Sequence, residues 1–287
     1  MKLSIVLQHL LPKQALTRLA GLLANQQCGA LTTKVIAWFV KRYGVNMSEA
    51  ANPDITSYAS FNDFFTRPLK AGARPLAKAA FICPVDGAIS QFGAIEKDQI
   101  FQAKGHSYST LALVAGNSNL ASRFENGQFA CLYLSPKDYH RIHMPCDGAL
   151  KSMTYVPGDL FSVNPTTAAN VPNLFARNER VVCEFASEQH GAFVLVLVGA
   201  TIVGSMATVW HETIDGAKNG IINPPRTDNI RSWFYTDKNI TLKQGDEMGR
   251  FLLGSTVVML FEKDALEFNA SWQAARSIKL GEMMGQL

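Results

Sequence analysis

The stretch that decides the fold lies near the carboxyl end and reads Gly249-Arg250-Phe251-Leu252-Leu253-Gly254-Ser255-Thr256-Val257-Val258-Met259-Leu260-Phe261. From Thr256 onward the residues are apolar and mostly β-branched or aromatic, which predicts a buried strand. Gly254 precedes this run and can adopt backbone angles that other residues rarely reach. Ser255 places a hydroxyl beside the Gly254 carbonyl. The stretch therefore predicts a turn that delivers one serine to the start of a buried strand.

A hydroxyl in this position can cut the chain at its own residue. If a base removes the hydroxyl proton, the Ser255 oxygen can attack the Gly254 carbonyl and convert the amide into an ester. β-Elimination of that ester would cleave the chain and leave a dehydroalanine, which hydrolyses to a pyruvoyl group. A turn that only opens a buried strand is the alternative. Gly204-Ser205 repeats the glycine and serine spacing, so Ser205 is a second candidate on local chemistry.

The residues from 81 onward form short apolar runs separated by glycines and turn residues. The predicted strands are 88–95, 129–134, 149–156, 180–186, 192–198, 200–209 and 255–262. Residues 191–210 carry no charge and could cross a bilayer, but their glycine, valine and threonine content favours two buried strands. Two echoes, of 84–89 in 145–150 and of 199–205 in 249–255, suggest a duplicated β unit.

The first 48 residues are basic. They carry six lysines and arginines and no acidic residue, whereas the whole chain has a net charge of +4, so the remainder carries a net −2. Two predicted helices have apolar faces, formed by Leu16, Leu19 and Leu23 and by Val35, Ile36, Phe39, Val40 and Tyr43. This pattern is typical of helices that lie on an anionic membrane surface. Core-facing helices with solvated lysines are the alternative.

Composition predicts a folded protein with reduced thiols. Of the 287 residues, 47% are hydrophobic and 17% are charged, so the chain can bury a large core. The five cysteines form no C-x-x-C pair and are odd in number, which favours buried thiols in the cytosol over a disulfide framework. The chain lacks the phosphate-loop, dinucleotide-binding, zincin and G-x-S-x-G hydrolase motifs.

Two histidines, His140 and His143, lie close together in the segment 135–145. Histidine is the side chain best suited to take up a proton near neutral pH. A carboxylate that fixes its tautomer would assist it, and Asp86 and Asp147 are candidates. The His-x-x-His spacing could instead bind a metal as part of a hydrolase.

Seven motifs, taken in order, make the chain similar to a known family. They are Phe61-Asn62-Asp63-Phe64-Phe65-Thr66-Arg67, Pro84-Val85-Asp86-Gly87, Lys104-Gly105, Tyr139-His140-Arg141-Ile142-His143-Met144-Pro145, Pro157-Gly158-Asp159-Leu160, Phe175-Ala176-Arg177-Asn178-Glu179-Arg180 and Leu253-Gly254-Ser255-Thr256. The chain resembles the pyruvoyl-dependent phosphatidylserine decarboxylases of bacterial type. The resemblance runs from about residue 60 to residue 262.

The resemblance implies roles for individual residues. Ser255, rather than Ser205, would be the self-cleaving serine, with the cut after Gly254. Asp86 and His143 would complete a charge-relay triad for this maturation.

Two further assignments follow from the same resemblance. His140 would sit beside the substrate and serve the decarboxylation. Asp147 would be structural.

The resemblance also implies a cofactor and a reaction. A pyruvoyl group formed from Ser255 would take the amine of phosphatidylserine into a Schiff base, lose CO2 and release phosphatidylethanolamine. The alternatives are a non-catalytic β module that docks on membranes or nucleic acid, a metal-dependent hydrolase, and a transferase that uses an uncleaved Ser255.

We therefore expect an α+β, mainly β fold with two parts. Residues 1–60 would be a basic amphipathic region that associates with the membrane. Residues 61–287 would be a sheet-like or barrel-like catalytic domain, cleaved between 254 and 255 into two chains that stay together. The expected partners are phosphatidylserine, the anionic cytoplasmic face of the cell membrane and a second copy in a homodimer, with no nucleic acid and no metal.

Overall fold

The computed structural model describes residue 8 and residues 11–201, 206–211, 229–252 and 256–287. The predicted cleavage site at Gly254 and Ser255, and the rival Ser205, lie outside these residues. The helices are α1 Lys13–Ala24, α2 Ala30–Tyr43, α3 Phe61–Phe65, α4 Thr110–Leu113, α5 Ser118–Ser122, α6 Pro165–Ala168 and α7 Leu174–Arg177. Short 3-10 turns span Met47–Glu49, Ile55–Ser57 and Thr236–Lys238.

Most of the regular structure after α3 is strand. The strands are β1 Phe81–Ile82, β2 Gly87–Ala94, β3 Gln99–Ala103, β4 His106–Ser109, β5 Gln128–Tyr133, β6 Arg141–His143, β7 Gly148–Val156, β8 Arg180–Ser187, β9 Gly191–Val198, β10 Met206–Thr208, β11 Arg231–Phe234, β12 Thr241–Leu242, β13 Glu247–Phe251, β14 Thr256–Phe261, β15 Glu267–Phe268, β16 Ser277–Ile278 and β17 Met283–Gln286. The predicted α+β, mainly β fold is confirmed.

One nine-stranded antiparallel sheet forms the body of the protein. Its order is β11-β7-β8-β9-β14-β5-β2-β16, with β12 also paired to β7. Smaller sheets have the orders β1-β17-β15, β10-β13-β6 and β3-β4. None of these sheets closes on itself within the described ranges. The barrel-like form and the internal duplication therefore stay predictions.

Strand β14 lies at the middle of the large sheet. It pairs along its whole length with β5 on one side and β9 on the other, with Thr256 opposite both Tyr133 and Val198. Val257, Met259 and Phe261 belong to one hydrophobic cluster, whereas Val258 and Leu260 belong to a second. Side chains alternate across a strand, so β14 contributes to a core on each face of the sheet. This explains why its sequence is continuously apolar.

The predicted strands match the structure except at 200–209. Residues 88–95, 129–134, 149–156, 180–186 and 192–198 correspond to β2, β5, β7, β8 and β9. Of residues 200–209 only Met206–Thr208 form a strand, and 202–205 lie outside the described part. The uncharged segment 191–210 contributes β9 and β10, as predicted. No helix in the part of the chain that the structure describes is long and apolar enough to cross a membrane.

The two N-terminal helices present different faces to the body. On α2, Ile36 is fully buried and the Phe39 ring packs 5.0 Å from Phe61 of α3, in a cluster that also contains Val40. The predicted apolar face of α2 is therefore largely a core face. In contrast, Val35 and Tyr43 of the predicted face are exposed, as are other apolar side chains of α2 and α1, at Leu16, Leu19, Leu22, Leu23, Leu31 and Trp38.

The cysteines are all unpaired, as the sequence predicts. Cys28 is exposed, and the other four are buried. Burial raises the pKa of Cys131 and of Cys146 to about 12. These thiols stay protonated at physiological pH and are poor nucleophiles.

Candidate active site

The loop between β5 and β6 carries His140, and His143 is the last residue of β6. The Asp138 carboxylate accepts hydrogen bonds of 2.7 Å from the backbone N–H and the hydroxyl of Ser135, which fixes the turn. The His140 carbonyl accepts a 3.0 Å hydrogen bond from the Phe251 N–H at the end of β13. The loop is therefore tied to the strand that leads toward the predicted cleavage site.

His140 is a buried, neutral imidazole. Its side chain has no exposed surface, and its ring stacks on Phe65 with centroids 4.1 Å apart. Neither ring nitrogen makes a hydrogen bond of normal geometry to the residues that the structure describes. Burial and, to a smaller extent, the Arg67 charge lower the pKa of His140 to about 3, against the opposing effect of the carbonyls of Ser135 and Pro136. The ring is therefore neutral, buried and close to the backbone carbonyls of Ser135 and Pro136.

His143 is held by both of its ring nitrogens. Nδ1 lies 2.8 Å from the Gly245 carbonyl oxygen, and Nε2 lies 3.1 Å from the hydroxyl of Tyr139. Since a carbonyl only accepts hydrogen bonds, Nδ1 carries the proton and Nε2 carries the lone pair of the neutral ring. Burial lowers the pKa of His143. The ring is therefore a neutral base whose accepting atom is Nε2.

A tight turn presents the Gly245 carbonyl to His143. Lys243 and Asp246 close the turn through the Asp246 N–H, which donates to the Lys243 carbonyl at 3.0 Å. Gly245 has a φ of +85°, and a Cβ there would lie 2.4 Å from Cδ1 of Leu76. Glycine fits this left-handed conformation without strain. The turn thus sets the tautomer of His143.

Asp86 is buried in an ion-pair network. Its Oδ1 accepts a 2.9 Å hydrogen bond from Nε of Arg74 and another of 2.9 Å from the backbone N–H of Leu280. The Arg74 guanidinium also binds Oδ2 of Asp86 and, at 2.6 Å, the Glu49 carboxylate. These hydrogen bonds raise the pKa of Arg74 further above its usual range. The carboxylate of Asp86 is thus paired with a fixed cation through charge-assisted hydrogen bonds.

Asp86 and His143 are neighbours without a hydrogen bond between them in the described structure. The backbone N–H of His143 donates to the Pro84 carbonyl at 2.9 Å, which ties the two segments together. The negative charge of Asp86 acts to raise the pKa of His143, although burial outweighs it. The group that orients the ring of His143 here is the Gly245 carbonyl.

Asp147 differs from Asp86 despite the sequence echo. Its side chain is about half exposed and accepts hydrogen bonds of 2.8 Å from Nζ of Lys243 and from the Gln244 N–H. These contacts tie Asp147 to the turn that carries Gly245. The structural role expected for Asp147 is compatible with this position and stays a prediction.

The first described residue after the predicted cleavage site is Thr256. It is fully buried, and its hydroxyl has no hydrogen-bond partner among the described residues. A buried hydroxyl without a partner carries a substantial desolvation cost. Among the described residues, Thr256 Oγ1 is thus a buried donor and acceptor without a hydrogen-bond partner.

A cavity of about 350 Å³ adjoins the segment 135–145 that carries the two histidines. Cations and carboxylates both line it, including Arg67, Arg74, Asp86, Tyr139 and Lys279. Neither histidine is among its lining residues. Tyr139, whose hydroxyl contacts Nε2 of His143, is one of the lining residues, and so is Asp86.

The geometry does not support a metal site at the two histidines. His140 stacks on Phe65, whereas His143 bonds to Gly245 and Tyr139. Within the ranges given above, no three histidine, cysteine or carboxylate side chains come together as metal ligands do.

Three contacts of the candidate residues could not be predicted from the sequence: Tyr139 with His143, Gly245 with His143, and Arg74 with Asp86. Tyr139 and His143 lie in one motif, but side chains four residues apart are regular neighbours only in a helix, and this segment is loop and strand. A turn at Gly245 could be anticipated from its sequence, although not the group that its carbonyl faces. Nothing in the sequence links Arg74 to Asp86. Such pairings arise from the fold.

Family models match nearly the whole chain. The model described as phosphatidylserine decarboxylase matches residues 61–286, and a second, described as PSD, matches residues 3–44. The boundary between the two models is close to the boundary expected between residues 60 and 61, although neither model tests whether the two parts fold as separate domains.

Similar proteins share the same name. The phosphatidylserine decarboxylase proenzyme of Dechloromonas aromatica is 69% identical over 284 residues, which cover 99% of this chain and 98% of that protein. The proenzyme of Methylobacillus flagellatus is also 69% identical over 284 residues, with the same coverage. The proenzyme of an Azoarcus species is 66% identical over 286 residues, covering 100% of this chain and 96% of that protein.

Proposed function

We propose, for a chain that belongs to the phosphatidylserine decarboxylase family, that it converts phosphatidylserine into phosphatidylethanolamine with a pyruvoyl group made from its own Ser255. The observation that carries the proposal is the motif Leu253-Gly254-Ser255-Thr256, which directly precedes the buried central strand β14 in a chain matched by the family model from 61 to 286. The name proenzyme, shared by the relatives, supports a precursor that is cleaved into two chains.

His143 is the proposed base for self-cleavage. Its Nε2 lone pair can take up the Ser255 hydroxyl proton, while the carbonyl of Gly245 keeps Nδ1 protonated. The Asp86 charge, fixed by Arg74, would stabilise the imidazolium through space instead of through a direct hydrogen bond. The role of Asp86 in the triad is thus proposed in an electrostatic form.

The two chains are expected to remain associated after cleavage. Strand β14 would belong to the small chain, and it pairs with β5 and β9 of the large chain on both sides. All six of its residues are buried. Burying a large apolar side chain contributes roughly 1.5–3 kcal/mol. Withdrawing this strand from the sheet would therefore be strongly unfavourable even after the chain has been cut.

The residues next to position 255 fit a pyruvoyl group. Thr256 offers a buried hydroxyl without a partner among the described residues, which can donate to a carbonyl oxygen. When formed, the group supplies a carbonyl that binds the substrate amine and withdraws electrons from the bond to the departing CO2. The fixed strand β14 would hold this carbonyl in place.

His140 is proposed to serve the decarboxylation step. Its ring nitrogens make no hydrogen bond of normal geometry to the described residues, and stacking on Phe65 fixes the ring in position to act on the substrate. With a pKa of about 3 it is neutral before the substrate enters. A substrate phosphate or carboxylate in contact with the ring would raise this pKa. Substrate binding itself would then prepare His140 to hold the proton that replaces CO2.

The N-terminal region is proposed to place the site at a membrane. The exposed leucines of α1 and the exposed apolar side chains of α2 occur in a segment without acidic residues, which suits an anionic lipid surface. We propose peripheral binding to the cytoplasmic face of the cell membrane through residues 1–60. The homodimer rests only on the family resemblance.

A lipid assay tests the proposed function. The purified chain is mixed with vesicles that contain phosphatidylserine, and released CO2 and phosphatidylethanolamine are measured together. Hydroxylamine, which converts ketones into oximes with loss of water, should stop the reaction and raise the mass of the small chain by that of hydroxylamine less one water. Turnover that is insensitive to hydroxylamine would contradict the pyruvoyl cofactor, and absent turnover in a cleaved sample would contradict the reaction.

A further inference from the structure

Arg67 is a buried cation that forms no ion pair with the residues that the structure describes. It is only 3% exposed, and its guanidinium lies 5.2 Å from the centre of the Phe64 ring. Its Nη1 and Nη2 reach the carbonyls of Phe64 and Lys137 only at 3.5 and 3.4 Å, and its Nε–H has no hydrogen-bond partner in the same part of the chain. Since normal N–H to oxygen hydrogen bonds span about 2.7–3.2 Å, most of the hydrogen-bonding capacity of Arg67 is unused.

A second arginine beside Arg67 shows the usual arrangement of a buried guanidinium. Arg74 donates to Asp86 at 2.9 Å and to Glu49 at 2.6 Å. These hydrogen bonds raise the pKa of Arg74, whereas burial lowers the pKa of Arg67. Burying a charge without a partner of opposite sign costs free energy, and an arginine stays protonated at physiological pH. An anion bound at Arg67 would offset this cost.

Arg67 lines the cavity of about 350 Å³, and so does Lys137. Ion pairs already engage three carboxylates of the described lining, those of Glu49, Asp86 and Glu282. The Asp138 carboxylate lacks an ion pair among the described residues, but it accepts two hydrogen bonds from Ser135, and burial raises its pKa. Lys137 is exposed and, within the same ranges, also lacks an ion pair. The cations without an ion pair therefore outnumber the carboxylates without one, which suits an anion.

We propose that this cavity binds a phosphate group at the Arg67 guanidinium, with the Lys137 ammonium as a second cation. A guanidinium presents parallel N–H groups that match two phosphate oxygens, and a lysine adds a point charge. The cavity volume falls within the range of small-molecule sites, about 300–1,000 Å³. Gly44 and Asn46 also line the cavity, so it adjoins the end of α2 in the basic N-terminal region.

Inorganic phosphate and the head group of a phospholipid both present this chemistry. The site is built without any residue of the segment 253–255, so it does not depend on the proposed reaction. Its test is therefore a binding measurement. Two probes separate the sources: inorganic phosphate, and dihexanoyl-phosphatidylglycerol kept below the concentration at which it forms micelles.

Isothermal titration calorimetry of the purified full-length protein, at constant ionic strength, measures both dissociation constants. Arg67→Met keeps an unbranched side chain and removes the charge, so the dissociation constant of the bound probe should rise at least tenfold. Arg67→Lys keeps the charge without the planar fork and should bind with intermediate affinity; it remains a test if Arg67→Met does not fold. Arg123→Met is the control, because Arg123 pairs with Glu184 and Glu262 and is not among the lining residues.

The two probes give distinct outcomes. Binding of inorganic phosphate that weakens in the Arg67 variants supports a site for the phosphate group itself. Binding of the phospholipid alone, with the same weakening, supports the site and assigns it to a lipid head group. Binding of neither probe, or binding that is equal in the unsubstituted, Arg67→Lys and Arg67→Met chains, would overturn the proposal.

Thermal unfolding separates a binding role of Arg67 from a structural one. At a concentration ten times its dissociation constant, the bound probe should raise the melting temperature of the unsubstituted chain by about 3 °C. Arg123→Met should show the same rise at the same concentration, whereas Arg67→Met should show almost none. If the probe raises the melting temperature of Arg67→Met as much as that of the unsubstituted chain, Arg67 is not the phosphate ligand.

Discussion

The two histidines of the segment 135–145 lie in different surroundings, which suit the different roles proposed for them. His140 is neutral because it is buried beside Phe65 and near the Arg67 charge. His143 is neutral in a defined tautomer because Gly245 accepts from Nδ1. The sequence could show that both residues are histidines in one motif, but these environments come from residues that are distant along the chain.

His140 should make the protein sensitive to moderate acid. Its pKa is about 3 in the folded chain and near 6.5 in the unfolded chain, so the unfolded state binds more protons below pH 6.5. The stability present above pH 6.5 is therefore lost as pH falls toward 3. From pH 7 to pH 5 this residue should lower the free energy of unfolding by about 2 kcal/mol.

Urea unfolding of Ser255→Ala chains, with and without His140→Gln, measures this contribution. The Ser255→Ala background keeps each sample a single chain. The fall in unfolding free energy between pH 7 and pH 5 should be smaller by that amount in the His140→Gln variant. Equal falls in both chains would show that His140 is not a buried neutral histidine.

Gly245→Ala should slow self-cleavage. The alanine would be strained at a φ of +85° and would press on Leu76, so the carbonyl that fixes His143 would move. A loss of about tenfold corresponds to a modest weakening of one hydrogen bond near 1.4 kcal/mol. Gly72→Ala is the control, because Gly72 has a φ of +75° with open space around it.

The fragment rate, measured on gels from cell-free synthesis, compares the two glycine variants. Gly72→Ala carries the same type of backbone strain, but the carbonyl that bonds to His143 is that of Gly245, so the cleavage rate of Gly72→Ala should match that of the unsubstituted chain. If both variants cleave at the unsubstituted rate, the Gly245 carbonyl does not control the base.

At the level of elements, strand patterns were more predictable than helix faces. Strand β14 is apolar throughout because its side chains enter two hydrophobic clusters, and such a run reads directly as a buried strand. The stripe on α2 is different. An apolar helical face is the same in sequence whether it meets lipid or protein, and here Phe39 meets Phe61.

The exposed leucines of α1 should bind anionic membranes. Leu22 and Leu23 are 64% and 63% exposed, and burying each in a lipid interface would contribute roughly 1.5–3 kcal/mol. Replacing both with glutamine should weaken binding to phosphatidylglycerol vesicles more than tenfold in a flotation assay. Leu76→Gln is the control, since Leu76 is 47% exposed outside the helices. If the double variant binds the vesicles as well as the unsubstituted chain does, these leucines of α1 do not contribute to membrane binding.

For the whole molecule, the sequence predicted the fold class, whereas the contacts among the candidate site residues could not be predicted from it. The order of the nine-stranded sheet depends on pairings between distant segments, such as β14 with β5 and β9. The same long-range packing brings Arg74 to Asp86 and Gly245 to His143. Motifs reveal which side chains are present, whereas the fold decides which of them meet.

The chain is proposed to cleave itself between Gly254 and Ser255, and the two product chains are proposed to stay associated. An intact-mass spectrum under denaturing conditions tests it most directly, with the Ser255→Ala chain measured alongside. We predict two masses for the unsubstituted chain, the smaller beginning with a pyruvoyl group at position 255, and one full-length mass for Ser255→Ala. A single full-length mass for the unsubstituted chain, persisting after incubation with lipid, would contradict the account.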